Sequence, residues 1–375
     1  MEYRSLKKVP AVEISVLGFG CMRLPTEGDP ARIDEAAATA LLREAIEGGV
    51  NYVQTAGACP GGEAEAFVGR ALGGTLREKV HLATKLPVWL VAGEGDWERS
   101  LRAQLERLRT DRIDFCLLQG LSRSRWDLVR RFRGLQALER ARADGRVGHV
   151  GFTFQGPAAI FEEILEGYDW DLCEVELNFL DEGSQPGLEA LQRAAARNVS
   201  VVAAEPLRGN ALAAPPPVVQ DAWARSDRAW SPAQWGLRWV WDHAEVTTAV
   251  SGFGSGALLR DSLSAASDPH PMSARDQQVI AEVRRVYRHS RRVRCTICGC
   301  CLPCPVGIAI PEVLSLFNDA MFDSKAWPVA EYRAYLDSGK GADQCAACGD
   351  CELRCPEGIS IVEALEGAHG YLSAG

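Results

Sequence analysis

The chain has 375 residues, 47% of them hydrophobic and 24% charged, a composition typical of a soluble globular protein with one large domain and a smaller one. Its formal net charge of −9 argues against general nucleic-acid binding, which requires a basic surface to neutralise phosphates. The sequence shows neither an apolar run long enough to span a membrane nor a secretory signal at its N-terminus, so we expect a cytoplasmic protein.

Short β-rich runs alternate with longer amphipathic segments between residues 14 and 267, which predicts strand-helix units around a parallel sheet. The clearest helix starts at Ser231 and Pro232 and places Trp235 and Trp239 on one buried face. Eight strand-helix units in about 250 residues predict a closed (β/α)₈ barrel of the α/β class, a TIM barrel, over residues 1–272. The eight strands are expected at residues 15–20, 52–56, 80–86, 113–119, 149–154, 172–178, 200–205 and 247–253.

The segments after the seventh strand break this pattern. Residues 210–219 include three consecutive prolines, which predicts a loop at the C-terminal rim of the barrel. A connecting helix is expected at residues 273–293. The remainder, residues 294–375, is cysteine-rich and is predicted to form a small α-rich, ferredoxin-like domain with helices near residues 311–318, 329–336 and 361–371.

Nine of the thirteen cysteines lie between residues 295 and 355, and eight of these form two motifs. The motifs are Cys295-x2-Cys298-x2-Cys301-x2-Cys304-Pro305 and Cys345-x2-Cys348-x2-Cys351-x3-Cys355-Pro356. Cysteines separated by two residues can bind three corners of a 4Fe-4S cluster, and in bacterial two-cluster ferredoxins the fourth cysteine, before proline, ligates the other cluster.

This spacing predicts two 4Fe-4S clusters. One is expected on Cys295, Cys298, Cys301 and Cys355, and the other on Cys345, Cys348, Cys351 and Cys304. Zinc is the alternative, because paired CxxC motifs also form tetrahedral zinc sites. Cys300 is expected to be a packed thiol. Two clusters that each pass one electron can together supply the two electrons of a hydride-level reduction.

Five segments at predicted strand ends resemble the aldo-keto reductases, in the subgroup fused to a C-terminal ferredoxin module. They are residues 17–25 (LGFGCMRLP), 49–52 (GVNY), 83–87 (ATKLP), 111–118 (DRIDFCLL) and 205–209 (EPLRG). The resemblance covers nearly the whole chain. It implies the barrel fold and an NADPH-dependent carbonyl reduction that uses a tyrosine, a lysine, an aspartate and a histidine.

Three of these four catalytic positions differ in this sequence. Lys85 matches the family's lysine, but Gln54 stands at the aspartate position, Cys59 at the tyrosine position and Gln119 at the histidine position. Reduction by the family's usual four residues is therefore not expected. Because Gln54 is neutral, we expect Lys85 to lack a carboxylate partner and to lower the pKa of the Cys59 thiol.

The positions that contact the cofactor in the family are also altered. Glu174 stands where the family has the glutamine that contacts the nicotinamide amide, whereas Thr153 can replace the family's serine. For the adenosine end, the family's arginine and asparagine fall roughly at Leu258 and Ser262. We therefore do not expect NADPH binding.

The remaining cysteines leave several alternatives open. Cys59 either acts as a nucleophile or proton donor at the barrel mouth, where sites of this fold lie, or is an inert packed thiol. A third metal centre on Cys21 and Cys59 is a further alternative. Cys116 and Cys173 are expected to be packed, with Cys116 facing the surrounding helices.

A run of arginines precedes the first cluster motif. It can dock an acidic electron-transfer protein or balance the charge of the clusters, and a solvated helix face is the alternative. Its members are Arg284, Arg285, Arg288, Arg291, Arg292 and Arg294.

Three functions are consistent with the sequence. The leading hypothesis is an iron-sulfur oxidoreductase whose clusters move electrons to or from a small-molecule site at the barrel mouth, with Cys59 and Lys85 as acid or nucleophile. The second is a non-catalytic electron-transfer or scaffold protein that keeps the barrel as a platform for a partner protein. The third is an NADPH-dependent carbonyl reductase with relocated catalytic groups.

Overall fold

The structure is a computed structural model that describes residues 1–28, 32–57, 62–182, 186–268, 270–320 and 326–374. Its internal contacts define two compact units, residues 1–210 with 233–272 and residues 211–232 with 273–375. Residues 211–232 thus belong to the second of these units. None of the described helices is long and apolar enough to cross a membrane.

The first unit contains the predicted closed barrel of eight parallel strands. In chain order, the described strands are β1 (Tyr3–Ser5), β2 (Glu13–Ser15), β3 (Leu17–Gly20), β4 (Tyr52–Gln54), β5 (His81–Pro87), β6 (Ile113–Leu121), β7 (Val147–Phe154), β8 (Leu172–Glu176), β9 (Ser200–Ala204) and β10 (Val246–Gly252). Strands β3 to β10 form the barrel and pair in the order β10-β3-β4-β5-β6-β7-β8-β9, whereas β1 and β2 form a separate sheet.

In the barrel, the helices follow the strands as the alternating pattern predicted. In chain order they are α1 (Glu35–Glu47), α2 (Ala64–Ala71), α3 (Gly95–Leu108), α4 (Arg123–Arg131), α5 (Gly134–Ala143), α6 (Ala158–Glu166), α7 (Gly187–Ala196), α8 (Pro217–Trp223), α9 (Pro232–Trp241), α10 (Gly256–Ser267), α11 (Ala274–Ser290), α12 (Ile310–Asp319), α13 (Ala326–Asp337), α14 (Asp350–Leu353) and α15 (Ile361–Ser373). Short 3₁₀ turns lie at Gly74–Lys79, Val88–Leu90 and Ala342–Gln344.

Large side chains fill the barrel interior. Tyr52, Phe115, Leu172 and Val202 belong to one fully buried cluster, as expected for inward positions of alternate strand residues. Gly18 makes room for this packing, because a Cβ there would lie 3.1 Å from the Tyr52 ring. The interior is therefore a packed core, and only its ends can host a site.

The sequence reasoning missed a hairpin that covers the N-terminal end of the barrel. Strands β1 and β2 pair antiparallel. Leu6 and Ile14 of this hairpin region are buried against the interior cluster, and Arg4 Nη1 donates to Val246 O at 2.7 Å. A cavity of about 400 Å³ also lies at this end, lined by Arg4, Trp241 and Asp242 among others. In this fold the N-terminal end serves stability, and sites lie at the C-terminal end.

The second unit is built on α11, α12, α13 and α15. Helix α11 begins with a capping box in which Ser273 and Asp276 bond reciprocally. Arg228 pairs with Asp276 through two hydrogen bonds of 3.1 and 3.0 Å, which ties residues 211–232 to this helix. The loop predicted at residues 210–219 ends earlier than expected, because Pro217 occupies the first position of α8, where proline is tolerated.

Candidate functional site

The C-terminal mouth of the barrel contains a buried polar cluster of Lys85, Glu174 and Gln54, here called the mouth triad. Each follows an interior residue of its own strand by two positions, so all three point inward. Lys85 Nζ lies 2.5 Å from Glu174 Oε1, and Gln54 Nε2 donates to Glu174 Oε2 at 2.6 Å. Lys85 is 9% exposed and the other two are 4% exposed, so the cluster is almost shielded from water.

The expectation that Lys85 lacks a carboxylate partner is wrong. Gln54 supplies no charge, but Glu174 on β8, three strands from Lys85 in the barrel order, pairs with Lys85. A buried ammonium group without an anion would be costly, and the closed barrel lets β8 provide one. Lys85 therefore has a carboxylate partner, and β8 supplies it.

The same contacts bear on nicotinamide binding. Both oxygens of Glu174 are engaged by Lys85 and Gln54, so this carboxylate is used inside the barrel. The Thr153 hydroxyl accepts a hydrogen bond from Gly120 N at 2.7 Å. Both residues are thus engaged in contacts within the barrel.

Two further predicted residues have different outcomes. Gln119 lies on β6, and its Oε1 is buried without a hydrogen-bond partner among the described residues. Cys59 lies outside the described residues. Cys21, its suggested partner in a third metal centre, is fully buried directly after β3.

Beneath the mouth triad lies Tyr52, the largest polar side chain of the interior. Gln54 Nε2 is 3.4 Å from its hydroxyl. Burial, and then the charge of Glu174, raise the pKa of Tyr52 far above its usual value. Its phenol therefore stays protonated and is not activated by Lys85.

A second acidic residue at the mouth, Glu176, escaped the sequence reasoning. It is the last residue of β8, two positions beyond Glu174, and its side chain opens to solvent. Its carboxyl group nevertheless lies among many protein atoms. This desolvation first, and then repulsion by Glu205 and Asp181, raise the pKa of Glu176 to about 7. Because side chains alternate between the two faces of a strand, the residue two positions beyond Glu174 also points to the mouth, and this alternation could have identified Glu176.

The neighbours of Glu176 are compensated by cations. Arg23 Nη1 lies 3.0 Å from Glu205 Oε1, and Arg208 Nε lies 2.5 Å from Asp181 Oδ2. The hydrogen bond of Glu176 comes from the neutral Gln155 amide at 3.4 Å. Glu176 is thus the carboxyl group at the mouth best placed to gain or lose a proton near neutral pH.

The strand that carries Lys85 is also braced from outside the barrel. Glu65 is fully buried, pairs with Arg107 at 2.6 Å and accepts from the Thr84 hydroxyl. Gln104 Nε2 donates to Glu65 and, at 2.9 Å, to the carbonyl of Lys85. This network fixes the backbone at Lys85 and hence the direction of its side chain.

The isolated cysteines of the barrel are packed, as expected. Cys116 and Cys173 are fully buried. Burial raises the pKa of Cys116 to about 12 and also raises that of Cys173. Neither thiol is reactive at neutral pH.

The eight motif cysteines of the second unit line two recesses. Recess A contains Cys295, Cys298, Cys301 and Cys355, together with Pro311, Leu314 and Ile361. Recess B contains Cys304, Cys345, Cys348 and Cys351, together with Ile308, Ile310 and Leu365. Each recess thus combines three cysteines of one motif with the last cysteine of the other, the grouping predicted from the ferredoxin pattern.

The two motifs also share a backbone conformation. Positive φ angles occur at Ile297 and Gly299 in the first motif and at Ala347 and Gly349 in the second. Such an angle is an outlier for a β-branched residue, and here it lets Ile297 N donate to Cys295 Sγ at 3.4 Å. Amide donors turned toward sulfur are a feature of cluster-binding loops, so the donor set and the backbone both fit a 4Fe-4S cluster.

The unequal spacing of the motifs is absorbed locally. Gly307 and Gly358 follow Cys304 and Cys355 by three residues, and both have positive φ and donate their N–H to that cysteine's carbonyl. Two of the three residues between the last two cysteines of the second motif, residues 352–353, belong to α14. Cys300, predicted to be packed, is instead exposed, because the ligand cysteines on either side face recess A.

Comparison with known proteins agrees with this architecture. The Aldo/keto reductase family matches residues 16–285, and the 4Fe-4S dicluster domain family matches residues 294–360. The uncharacterized oxidoreductase YqkF of Bacillus subtilis is 28% identical over 55% of this chain, which spans 65% of that protein's length. The L-galactose dehydrogenase of Arabidopsis thaliana is 23% identical over 76% of this chain and 94% of its own. The methylglyoxal reductase YeaE of Escherichia coli is 29% identical over 41% and 50%, respectively.

Solved structures with the same fold cover about three quarters of this chain. The holo form of aldo-keto reductase AKR11C1 from Bacillus halodurans superposes with a TM-score of 0.64 at 24% identity, covering 76% of this chain and 96% of that one. The thermostable aldo-keto reductase Tm1743 bound to the inhibitor epalrestat gives 0.63 at 22% identity, covering 76% and 100%. At identities this low, the structural likeness shows the fold alone.

Proposed function

Because the chain belongs to the aldo/keto reductase family and continues into a 4Fe-4S dicluster domain, we propose that it is an iron-sulfur oxidoreductase that exchanges electrons with a small molecule at the barrel mouth. When bound in recesses A and B, the two clusters pass one electron each. In this proposal the chain's electron source or sink is a protein partner and NADPH is not used. The barrel and the cluster domain both match known families, and the chemistry at the barrel mouth is what we propose.

The mouth triad is the observation that carries this proposal. A barrel kept only as a platform has no need for a buried lysine and carboxylate at its mouth, since apolar residues of similar volume are often as stable or more stable. Here the ion pair persists even though the aspartate position holds Gln54. A buried, charged pair at the end of the barrel where reactions occur in this fold is better explained by chemistry on a bound molecule.

The side chains have distinct proposed roles. Lys85, held by Glu174 and by the outer network through its carbonyl, presents positive charge that stabilises an anion or a developing oxyanion. Gln119 Oε1, without a hydrogen-bond partner among the described residues, accepts a hydrogen bond from the bound molecule. Glu176 exchanges the proton, a role that the family gives to a tyrosine. Cys59 remains the proposed nucleophile or additional proton donor, following from its sequence position.

The partner protein is proposed to be acidic. Arg285, Arg288, Arg292 and Arg294 are exposed along the end of α11 and the segment that follows it. They stand out in a chain whose net charge is −9. Such a basic strip attracts an acidic electron-transfer protein toward the cluster domain.

Two other functions remain as competing proposals. The replaced positions Gln54, Cys59 and Gln119 favour the non-catalytic electron-transfer protein. A carbonyl reductase with relocated groups would need a proton donor in place of the family's tyrosine, and it would take hydride from NADPH. Glu176 could supply that proton, whereas the raised pKa and the complete burial of Tyr52 argue against its phenol.

Cluster absorbance provides the test. Oxidised protein is mixed anaerobically with L-galactose and, separately, with NADPH. Dithionite-reduced protein is mixed with methylglyoxal. We expect NADPH to leave the clusters oxidised, dithionite to bleach about eight irons' worth of absorbance, and an accepted sugar or carbonyl compound to change it. Bleaching by NADPH would restore a nicotinamide-dependent reductase to first place.

Matched lysine variants separate catalysis from a platform role. Lys85→Met should abolish the absorbance change caused by the small molecule while leaving dithionite bleaching intact. Lys79→Met removes an exposed lysine before the start of the same strand and should change neither. If Lys85→Met responds like the unmodified protein, the mouth triad has no part in the reaction and the platform proposal is favoured.

A further inference from the structure

The two recesses differ in the charge that surrounds their cysteines. Beside recess A, Arg291 Nη1 donates to the carbonyl of Cys295 at 3.1 Å, and Arg294 directly precedes that cysteine. Glu357 is the acidic residue that lines this recess. The cations at recess A therefore outnumber the anions.

Recess B has the opposite balance. Asp350 and Glu352 flank Cys351, and Asp343 lies two residues before Cys345. Glu352 Oε1 accepts from the backbone N–H of Val362 at 2.8 Å, and Val362 lines the recess, so this carboxylate is held in place beside it.

One cation lies between the recesses. Arg354 donates to the carbonyls of Leu302 and Pro303, both at 3.1 Å, in the segment that joins Cys301 of recess A to Cys304 of recess B. The charge of Arg354 acts on both recesses, so it does not remove the difference in charge between them.

The reduction potential of an iron-sulfur cluster depends on the charge around it, because reduction adds one negative charge. A nearby cation stabilises the reduced form and raises the potential, whereas a nearby carboxylate lowers it. We propose that recess A holds the cluster of higher potential, so that the first electron given to the domain resides in recess A and transfer from recess B to recess A is downhill.

This inference rests on the proposed binding of two clusters. It is an outer-sphere electron transfer: one electron comes from a one-electron reductant, no bond forms or breaks, and the cluster in recess A gains one negative charge. Arg291 and Glu352 are positioning residues in this scheme, since both act through the cluster environment.

An anaerobic redox titration of the full chain with dithionite, followed by electron paramagnetic resonance, tests the order. We expect two reduction steps. Arg291→Gln should lower the midpoint of the upper step and leave the lower step in place, and Arg291→Lys should restore it. Glu352→Gln, which keeps the acceptor for Val362 N, should raise the lower step alone. Glu357→Gln should raise the upper step.

Charge-matched controls complete the design. Arg275→Gln lies at the start of α11, far along the helix from Arg291, and Glu331→Gln is exposed on α13. Neither should move a midpoint. The inference is overturned if Arg291→Gln shifts the lower step, if Glu352→Gln shifts the upper step, or if both behave like the controls. An iron content far below about eight per chain would instead contradict the binding of two clusters.

Discussion

The functional residues of the barrel mouth and of the cluster recesses are distributed differently along the sequence. All eight recess cysteines lie within residues 295–355 and follow a fixed spacing. In the mouth triad, Gln54 and Glu174 are 120 residues apart in the sequence and meet across the barrel. A site built from a local motif shows its ligands in the sequence. In a site built across a closed sheet, a functional group can come from a different strand. A position-by-position comparison of sequences then suggests that the group is missing, although the structure contains it.

The largest expected effect is on the recesses. Cys304→Ala and Cys345→Ala should each remove about four irons per chain, because each takes one ligand from the same cluster. The cluster that remains should give the same electron paramagnetic resonance signal in both variants, although the two cysteines belong to different motifs. Iron analysis and electron paramagnetic resonance provide the measurement.

Two outcomes would change this view of the recesses. A Cys304→Ala protein whose signal matches that of Cys295→Ala would mean that each motif holds its own cluster and that the exchange is wrong. Cys300→Ala is the control and should retain about eight irons, because Cys300 is exposed outside recess A.

At the barrel mouth the expected effect is on stability. Lys85→Met leaves Glu174 buried without its cation, so we expect a loss of about 3 kcal/mol in the free energy of unfolding. The double variant Lys85→Met with Glu174→Leu removes both charges and should recover most of that loss. Urea unfolding followed by circular dichroism measures the cycle, with Lys79→Met as a control that should change stability by less than about 0.5 kcal/mol. Additive losses in the double variant would show that the two side chains do not act as a pair.

Much of the fold could be predicted because the periodicity of the barrel is repeated eight times. The helices of the second unit and the grouping of the cysteines were also predicted from pattern and spacing. The β1–β2 hairpin was missed because its two strands have only three residues each. The pairing of Lys85 with Glu174 could not be predicted, because nothing in a linear sequence states which inward residues of a barrel meet.

A smaller effect is expected at Glu176. Because its pKa is raised to about 7, the neutral form stabilises the fold at low pH, and this contribution is lost as the pH rises through 7. Glu176→Gln keeps a neutral side chain, so its stability relative to the unmodified protein should increase between pH 5 and pH 8. The side chain opens to solvent, which screens the charge and limits the gain to about 1 kcal/mol.

Infrared spectroscopy identifies this titration directly. The difference between the unmodified protein and Glu176→Gln should show a protonated carboxyl band that disappears near pH 7. Glu47→Gln, at the exposed end of α1, should show no such band. A Glu176 band that is already lost at pH 5 would leave the mouth without its proposed proton donor and would return that role to Cys59.

The smallest expected effect concerns the arginines at the end of α11. Replacing Arg285 and Arg288 together by Gln should slow reduction of the clusters by a dithionite-reduced acidic flavodoxin on the order of threefold at low salt. The same change should flatten the dependence of the rate on ionic strength, because steering by exposed charges is screened by salt. Arg275→Gln, near the start of the same helix, is the charge-matched control and should change the rate less. Reduction by dithionite itself should be equal in all three proteins. If the double variant and Arg275→Gln slow the flavodoxin reaction equally, the arginines contribute only to the overall charge, and the solvated helix face is the correct description.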